Sequence, residues 1–250
     1  MDIQKKISRN FQMQPFSSDD DSEKTHFLKT IALGYAVTEN AISVLSDLKY
    51  NKSYIYYGGM AELLGIADSY TNETVNSIWE KKIYDSIHKD DLSKKHINEL
   101  RFYNFIKNLP PQKREGFFVK ESLRMFSREN KCFAVTHRMF YFYENYNNNI
   151  RFSLCLYNLR MDDEKEESFI LNSLSHESYI LDNEYDNRIL SEREIEILRL
   201  IEKGMSSIDI SNTLSISKNT VSRHRQNILE KLQAKNSVEA CKIAKEMKLI

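Results

Sequence analysis

Prolines, glycines and cysteines are scarce in this chain: 3, 6 and 3 among 250 residues. So little proline and glycine argues against a large unfolded fraction. Cys132, Cys155 and Cys241 are odd in number and stand in no CxxC or Cys/His metal spacing. That pattern predicts reduced, mostly buried thiols rather than a disulfide framework. No run approaches the roughly 20 apolar residues that cross a bilayer, so no membrane partner is expected. The opening MDIQKKISRN lacks the apolar core of a signal peptide, and a cytoplasmic location is the expectation. Glycine-rich phosphate loops, GxSxG and HExxH are missing as well. The histidines, His26, His88, His96, His137, His176 and His224, form no ligand set, and His88 beside Lys89-Asp90-Asp91 reads as a turn and helix cap. No enzyme, metal site or cofactor is expected.

What is present is densest in residues 190–250. In residues 217–232, SKNTVSRHRQNILEKL, Val221, Ile228, Leu229 and Leu232 recur at three- and four-residue steps and fall on one side of a helix. Lys218, Ser222, Arg223, Gln226 and Lys231 fall on the other. Ser217 is a suitable N-cap. Residues 206–214 predict a shorter helix before it, with 215–217 as the tight turn between. Ser191 and Glu194 have capping-box spacing and open a helix with the stripe Ile195, Leu198 and Ile201, which Gly204 ends. Asn236 and Glu239 repeat the spacing and open a fourth helix with Val238, Cys241, Ala244 and Met247 on one side. Four short helices with a three-residue turn before the third describe a helix-turn-helix.

This stretch resembles the LuxR/GerE-type DNA-binding domain. The likeness runs through LSxRExEIL at its start, then Gly204, Ile210, Leu214, Ile216-Ser217, Thr220-Val221, His224, Ile228, Lys231-Leu232 and Glu239-Ala240. The sequence departs from the family at Ile208-Asp209-Ile210, where a basic or small polar residue is more usual near Asp209; a phosphate contact is in doubt there. The resemblance implies that residues 217–232 enter the major groove of promoter DNA. Ser222, Arg223 and Gln226 would then reach base edges, and Lys218, Asn219, Thr220, Arg225 and Lys235 would meet phosphates. His224 matches a family position that implies a backbone contact or a packed side chain.

Charge is unevenly spread. Lys+Arg and Asp+Glu are 36 each, yet residues 189–250 hold 11 basic against 8 acidic, a balance of +3. Residues 161–187 hold 9 acidic and one lysine, a balance of −8, and the rest carries +5. A basic end this modest predicts weak DNA affinity per monomer and a need for dimerisation.

Residues 1–20 show no clear periodicity and read as a loosely held arm. Residues 22–39 predict a helix packed through Phe27, Ile31 and Leu33 or Tyr35. Residues 40–48 and 53–57 predict a hairpin, 60–64 a short helix, 78–88 and 92–108 helices, and 117–128, 131–143 and 150–159 three consecutive strands. That order resembles a PAS domain, which implies an α+β fold: a five-stranded antiparallel sheet with helices on one face. The expected domains are an arm and flanking helix (1–39), a PAS-like sensory domain (40–160), an acidic linker (161–188) in which residues 168–174 turn helically, and the all-α four-helix DNA-binding domain (189–250). Gly58-Gly59 reads as a strand end. A PAS core can enclose a ligand, with Tyr54, Tyr56, Phe118, Phe133, Phe140 and Tyr141 as lining or plain core; the signal, small molecule or protein, stays open.

The expectation is a sequence-specific transcription regulator that acts as a homodimer on double-stranded promoter DNA, with RNA polymerase as a further candidate partner. Residues 22–39 and the fourth helix, through Val238, Cys241 and Ala244, are the candidate pairing faces. The rival is an interaction adaptor whose helical domain docks a protein and not DNA. The polar outer face of residues 218–226 speaks against it.

Overall fold

The computed structural model describes residues 3–18, 21–144, 147–160, 167–181, 190–232, 234–247 and 249–250. An α+β unit of sheet and helices is followed by an all-helical unit. Helices α1 (Ile3–Gln12) and α2 (Ser22–Thr38) precede strands β1 (Ile42–Asp47) and β2 (Lys52–Tyr57). Then come α3 (Gly59–Leu64), β3 (Thr71–Val75), α4 (Lys81–Tyr84) and the long α5 (Lys89–Asn108). Strands β4 (Phe117–Phe126), β5 (Cys132–Tyr143), β6 (Ile150–Leu159), β7 (Phe169–Asn172) and β8 (Ser178–Ile180) complete the unit. Among the described residues no helix is long and apolar enough to cross a membrane.

The sheet has eight strands, not five, in the order β3-β2-β1-β6-β5-β4-β7-β8, and every pair is antiparallel. Strand β3, TNETV, buries none of its residues and so carries no hydrophobic alternation; ladder bonds to β2, with Tyr57 opposite Thr71, hold it. Strands β7 and β8 come from the acidic connector. Residues 169–172 extend along β4, with Val119 opposite Ile170, where a helical turn was expected. Ile170 is fully buried, and the pairing satisfies backbone groups that an open β4 edge would present. Residues 161–166 and 182–188 of the expected linker lie outside the described residues. The helix expected over 78–88 shrinks to α4, because Ile87 instead bridges Met125 of β4.

Helices cover both faces of the sheet rather than one. On one face α1, α3, α4 and α5 share the larger core. Residues 3–12 are thus a packed helix and not a loose arm: Ile7 and Phe11, four apart, are buried, and Phe11 stands edge-on to Tyr103 and Tyr141 at 5.4 and 6.0 Å. On the other face α2 lies through Leu28 and Ala32 on Leu45, Phe152, Leu154 and Leu156. The alanines let the helix sit close, and the Ser43 hydroxyl donates to the Ala32 carbonyl at 2.5 Å. Phe27, Ile31 and Leu33, expected to pack inward, therefore point outward, and of that stripe Tyr35 packs on the sheet. The aromatic strand residues divide the same way. Tyr54, Tyr56 and Phe140 pack on the α2 side, Phe118 stacks on Phe140, and Phe133 joins the larger core. Of the six aromatics weighed as cavity lining or plain core, Tyr141 alone borders the small cavity beneath α1.

Gly58 does more than end a strand. A Cβ there would stand 2.3 Å from the Ala36 carbonyl oxygen and 2.6 Å from the Asn40 carbonyl carbon, both backbone. Gly58→Ala should lower the stability of this unit by about 1–3 kcal/mol. Urea denaturation measures it, and an unchanged midpoint would contradict this packing.

Candidate nucleic-acid interface

Four helices make the C-terminal unit: α6 (Glu192–Glu202), α7 (Ser207–Thr213), α8 (Lys218–Lys231) and α9 (Ser237–Glu246). Each begins at a side-chain cap. Ser191 Oγ accepts the Glu194 amide at 3.3 Å, and Glu194 Oε2 accepts the Ser191 amide at 2.8 Å. Ser206 and Asp209 repeat the box at 3.3 and 3.1 Å. Asp209, the departure from the family pattern, thus closes the N-terminus of α7, and the Ser206 bonds hold its carboxyl below the usual range. That S-x-x-D spacing was readable in the sequence and was missed. Ser217 Oγ accepts the Thr220 amide at 3.0 Å and starts α8. At α9 the box is half made. Asn236 accepts the Glu239 amide at 2.9 Å, while Glu239 Oε2 accepts the Lys235 amide and its Oε1 takes Arg9 of α1 at 3.0 Å.

Val221, Ile228 and Leu232 fix one side of α8 in the core with Ile210, Ile197 and Leu198. Leu229, expected in that core, is half-buried at its edge. On α9 the buried stripe is Ala240, Ile243, Ala244 and Met247, shifted from the expected one. Val238 is 81% exposed and Ala244 is fully covered within its own unit, so Ala244 is not free to pair with a second copy.

Polar braces hold α8 at its last turn, at its middle and at the turn before it. Lys231 Nζ donates to Glu194 Oε2 at 2.7 Å, tying the last turn of α8 to the first turn of α6. Burial pushes the Glu194 carboxyl up, but the Lys231 and Ser191 hydrogen bonds prevail and hold it below the glutamate range. Arg225, expected at a phosphate, donates to Ser207 Oγ of α7 and Ser237 Oγ of α9, both at 3.0 Å. Arg193 Nη2 donates to the Leu214 carbonyl at 3.0 Å, at the turn before α8.

Five of the remaining expected contacts form one outer face of α8. Lys218, Asn219, Ser222, Arg223 and Gln226 are exposed, and Thr220 is partly so. His224 is half-buried, with a buried Nδ1 that has no hydrogen-bond partner among the described residues. Lys235 is exposed beyond the helix. Gln226 and Lys235 also border an open cleft of about 700 Å³ between α8 and the sheet domain, with Arg9, Gln14, Tyr103 and Lys107 opposite.

Residues 188–244 match the family described as bacterial regulatory proteins, luxR family. The oxygen regulatory protein NreC of Staphylococcus carnosus is 43% identical over 63 residues, which are 25% of this chain and 29% of that protein. The uncharacterized response regulatory protein YgeK of Escherichia coli is 44% identical over 62 residues, 25% of this chain and 42% of it. The match therefore spans less than half the length of these curated relatives. Among solved structures, the phage VqmA–DPO complex aligns over 92% of both chains at 15% identity and a TM-score of 0.30. Escherichia coli SdiA aligns over 98% of this chain and 97% of its own at 15% identity and 0.25.

Glu194→Ala should cost the helical unit about 1–2 kcal/mol at neutral pH by removing a cap and the Lys231 brace. Because the folded carboxyl is held below 4.5, its contribution is full above that value and is lost as pH falls through the lowered one. Denaturant midpoints of the two proteins should therefore differ at neutral pH and converge at an acid pH below the ordinary glutamate range. An equal gap at both pH values would refute the brace.

Proposed function

We propose that the chain is a DNA-binding transcription regulator whose helical unit reads promoter DNA and whose sheet domain senses a ligand or partner. The observation that carries this reading is the outer face of α8. A helix pinned from behind by Val221, Ile228 and Leu232 presents Lys218, Asn219, Ser222, Arg223 and Gln226 to solvent. No apolar side chain interrupts those exposed positions, which disfavours a protein-docking role for the face. The luxR-family match over residues 188–244 supports the same assignment for the helical unit.

On this reading Arg223, Ser222 and Gln226 read base edges. Arg223 lies two residues, about 200° of helix, from Val221 and so stands opposite the core, in the first two turns. Lys218, Asn219, Thr220 and Lys235 neutralise or bond phosphates and set register. Arg225 and His224 serve the interface from behind, Arg225 by bracing α7 and α9 against α8.

The modest positive charge calls for two copies on DNA. The pairing surface is α2, where Phe27, Ile31, Leu33 and Val37 are 63, 39, 45 and 45% exposed on a helix anchored by its other side. An apolar face of this kind complements itself about a two-fold axis.

Arg223→Ala should remove about 1–3 kcal/mol of discrimination at one base pair per half-site and leave the salt slope nearly unchanged. Lys218→Ala should lower that slope by about one unit with sequence preference intact. Binding to single-base operator variants at several salt concentrations separates the two. Uniform weakening by Arg223→Ala with a reduced slope would make Arg223 a phosphate contact.

Phe27→Asp combined with Ile31→Asp should convert a dimer to a monomer in sedimentation at micromolar concentration. A wild-type chain that is monomeric with and without DNA would overturn the pairing.

A further inference from the structure

The open cleft between α8 and the sheet domain is bordered by a cation that no described acid answers. Lys107, in the last turn of α5, donates from Nζ to Gln14 Oε1 at 3.0 Å and sits 5.9 Å from the centre of the Tyr103 ring. Both partners are neutral. Arg114 reaches the same turn and donates to the Leu109, Asn148 and Lys107 carbonyls, not to a carboxylate. Burial lowers the Lys107 amine from its ordinary value, the Arg114 charge lowers it further, and no acid opposes them. Asn10, 7% exposed, borders the cleft too, and its buried Nδ2 has no hydrogen-bond partner among the described residues.

The other charges of the cleft are matched or exposed. Arg9 pairs with Glu239 Oε1 at 3.0 Å. Lys235 and Glu230 border the cleft from the helical unit, and both are exposed. An exposed lysine needs no partner, because water solvates it. A part-buried one such as Lys107 gains from an anion brought against it.

We propose that the cleft binds a small organic anion, whose carboxylate or phosphate head accepts from Lys107 Nζ and whose apolar body lies along Met13, Leu229 and Ala234. The inference rests on the sensory reading of the sheet domain and names the class of its ligand. The cleft's volume of about 700 Å³ suits an organic molecule rather than a bare ion. Its walls are of the matching kind, aliphatic side chains with a few placed polar groups among them. Lys107 and Met13 belong to the sheet domain, Leu229 and Ala234 to the helical unit, so the guest touches both.

Benzoate and phenyl phosphate are titrated into the full chain by calorimetry. Sodium chloride at matched ionic strength and benzyl alcohol, a neutral analogue, serve as controls. The expected result is saturable binding of at least one of the two anions and none of the controls, and the tighter anion identifies the head group. Lys107→Gln should weaken that binding by about tenfold or more, as loss of a charge-assisted hydrogen bond does. Lys203→Gln should not, because it removes the same charge from an exposed position that does not border the cleft. No saturable binding of either anion, or equal binding of benzyl alcohol, overturns the proposal on the wild-type chain alone. Undiminished binding by a folded Lys107→Gln, or an equal loss in Lys203→Gln, also overturns it. Promoter-DNA binding is measured on the same preparation. DNA binding without anion binding sinks this inference and leaves the regulator reading standing, and anion binding without DNA binding does the reverse.

Discussion

The seal that α1 makes over the sheet is the constraint on which the other contacts depend. An eight-stranded sheet has two apolar faces to cover, and α2 covers the other one with a row of small residues. On the α1 side the cover must also keep water from a lysine and three carboxylates that the strands and α5 bury. Ile7 and Phe11 do this with two side chains, and Trp79 Nε1 donating to Ser8 Oγ at 2.7 Å holds the helix down. The Gln4–His96 contact at 3.1 Å anchors its start. Removing such a cover would open the apolar core that Ile7 and Phe11 close, so a short helix carries more than its length suggests.

The same helix reaches the other unit. Arg9 of α1 pairs with Glu239 of α9, whose second oxygen holds the Lys235 amide where the chain enters that helix. An ion pair that is part-exposed contributes little by itself. Its importance is positional: it joins the roof of the cavity to the segment beside α8.

Legibility in the sequence followed the strength of local patterning. The C-terminal unit was readable because S-x-x-E spacing, a 3.6-residue stripe and a three-residue turn agree with one another. The hairpin β1–β2 and the run β4–β5–β6 were readable from dense aromatic and β-branched residues. Strand β3 was not, because TNETV owes its state to a neighbouring strand and buries nothing. Strand β7 hid in an acidic stretch, where the buried Ile170 is too little to outweigh the surrounding charge in a reading of composition. On α2 periodicity found the helix but turned the wrong side inward, since Phe27 and Ile31 outweigh Leu28 and Ala32 on any hydrophobic scale while close packing favours the smaller pair. The outer face of α8 was legible as a set of residues; that Arg225 turns back to two serines was not, because those bonds join helices distant in sequence.

Helix α8 divides its duties along its length. Its first two turns stand clear, started by Ser217 and lined by Lys218, Asn219, Ser222 and Arg223. Its last two turns border the cleft through Gln226, Leu229 and Glu230, and end at the Lys231–Glu194 brace. A groove-reading helix needs only its N-terminal part exposed. The C-terminal part is therefore free to border the sheet domain while the first two turns stay exposed. Gln226 sits where the two halves meet, both on the outer face and at the cleft wall. On the proposed reading, any change in the cleft would reach base recognition there first, and Lys218 and Arg223 ahead of it last.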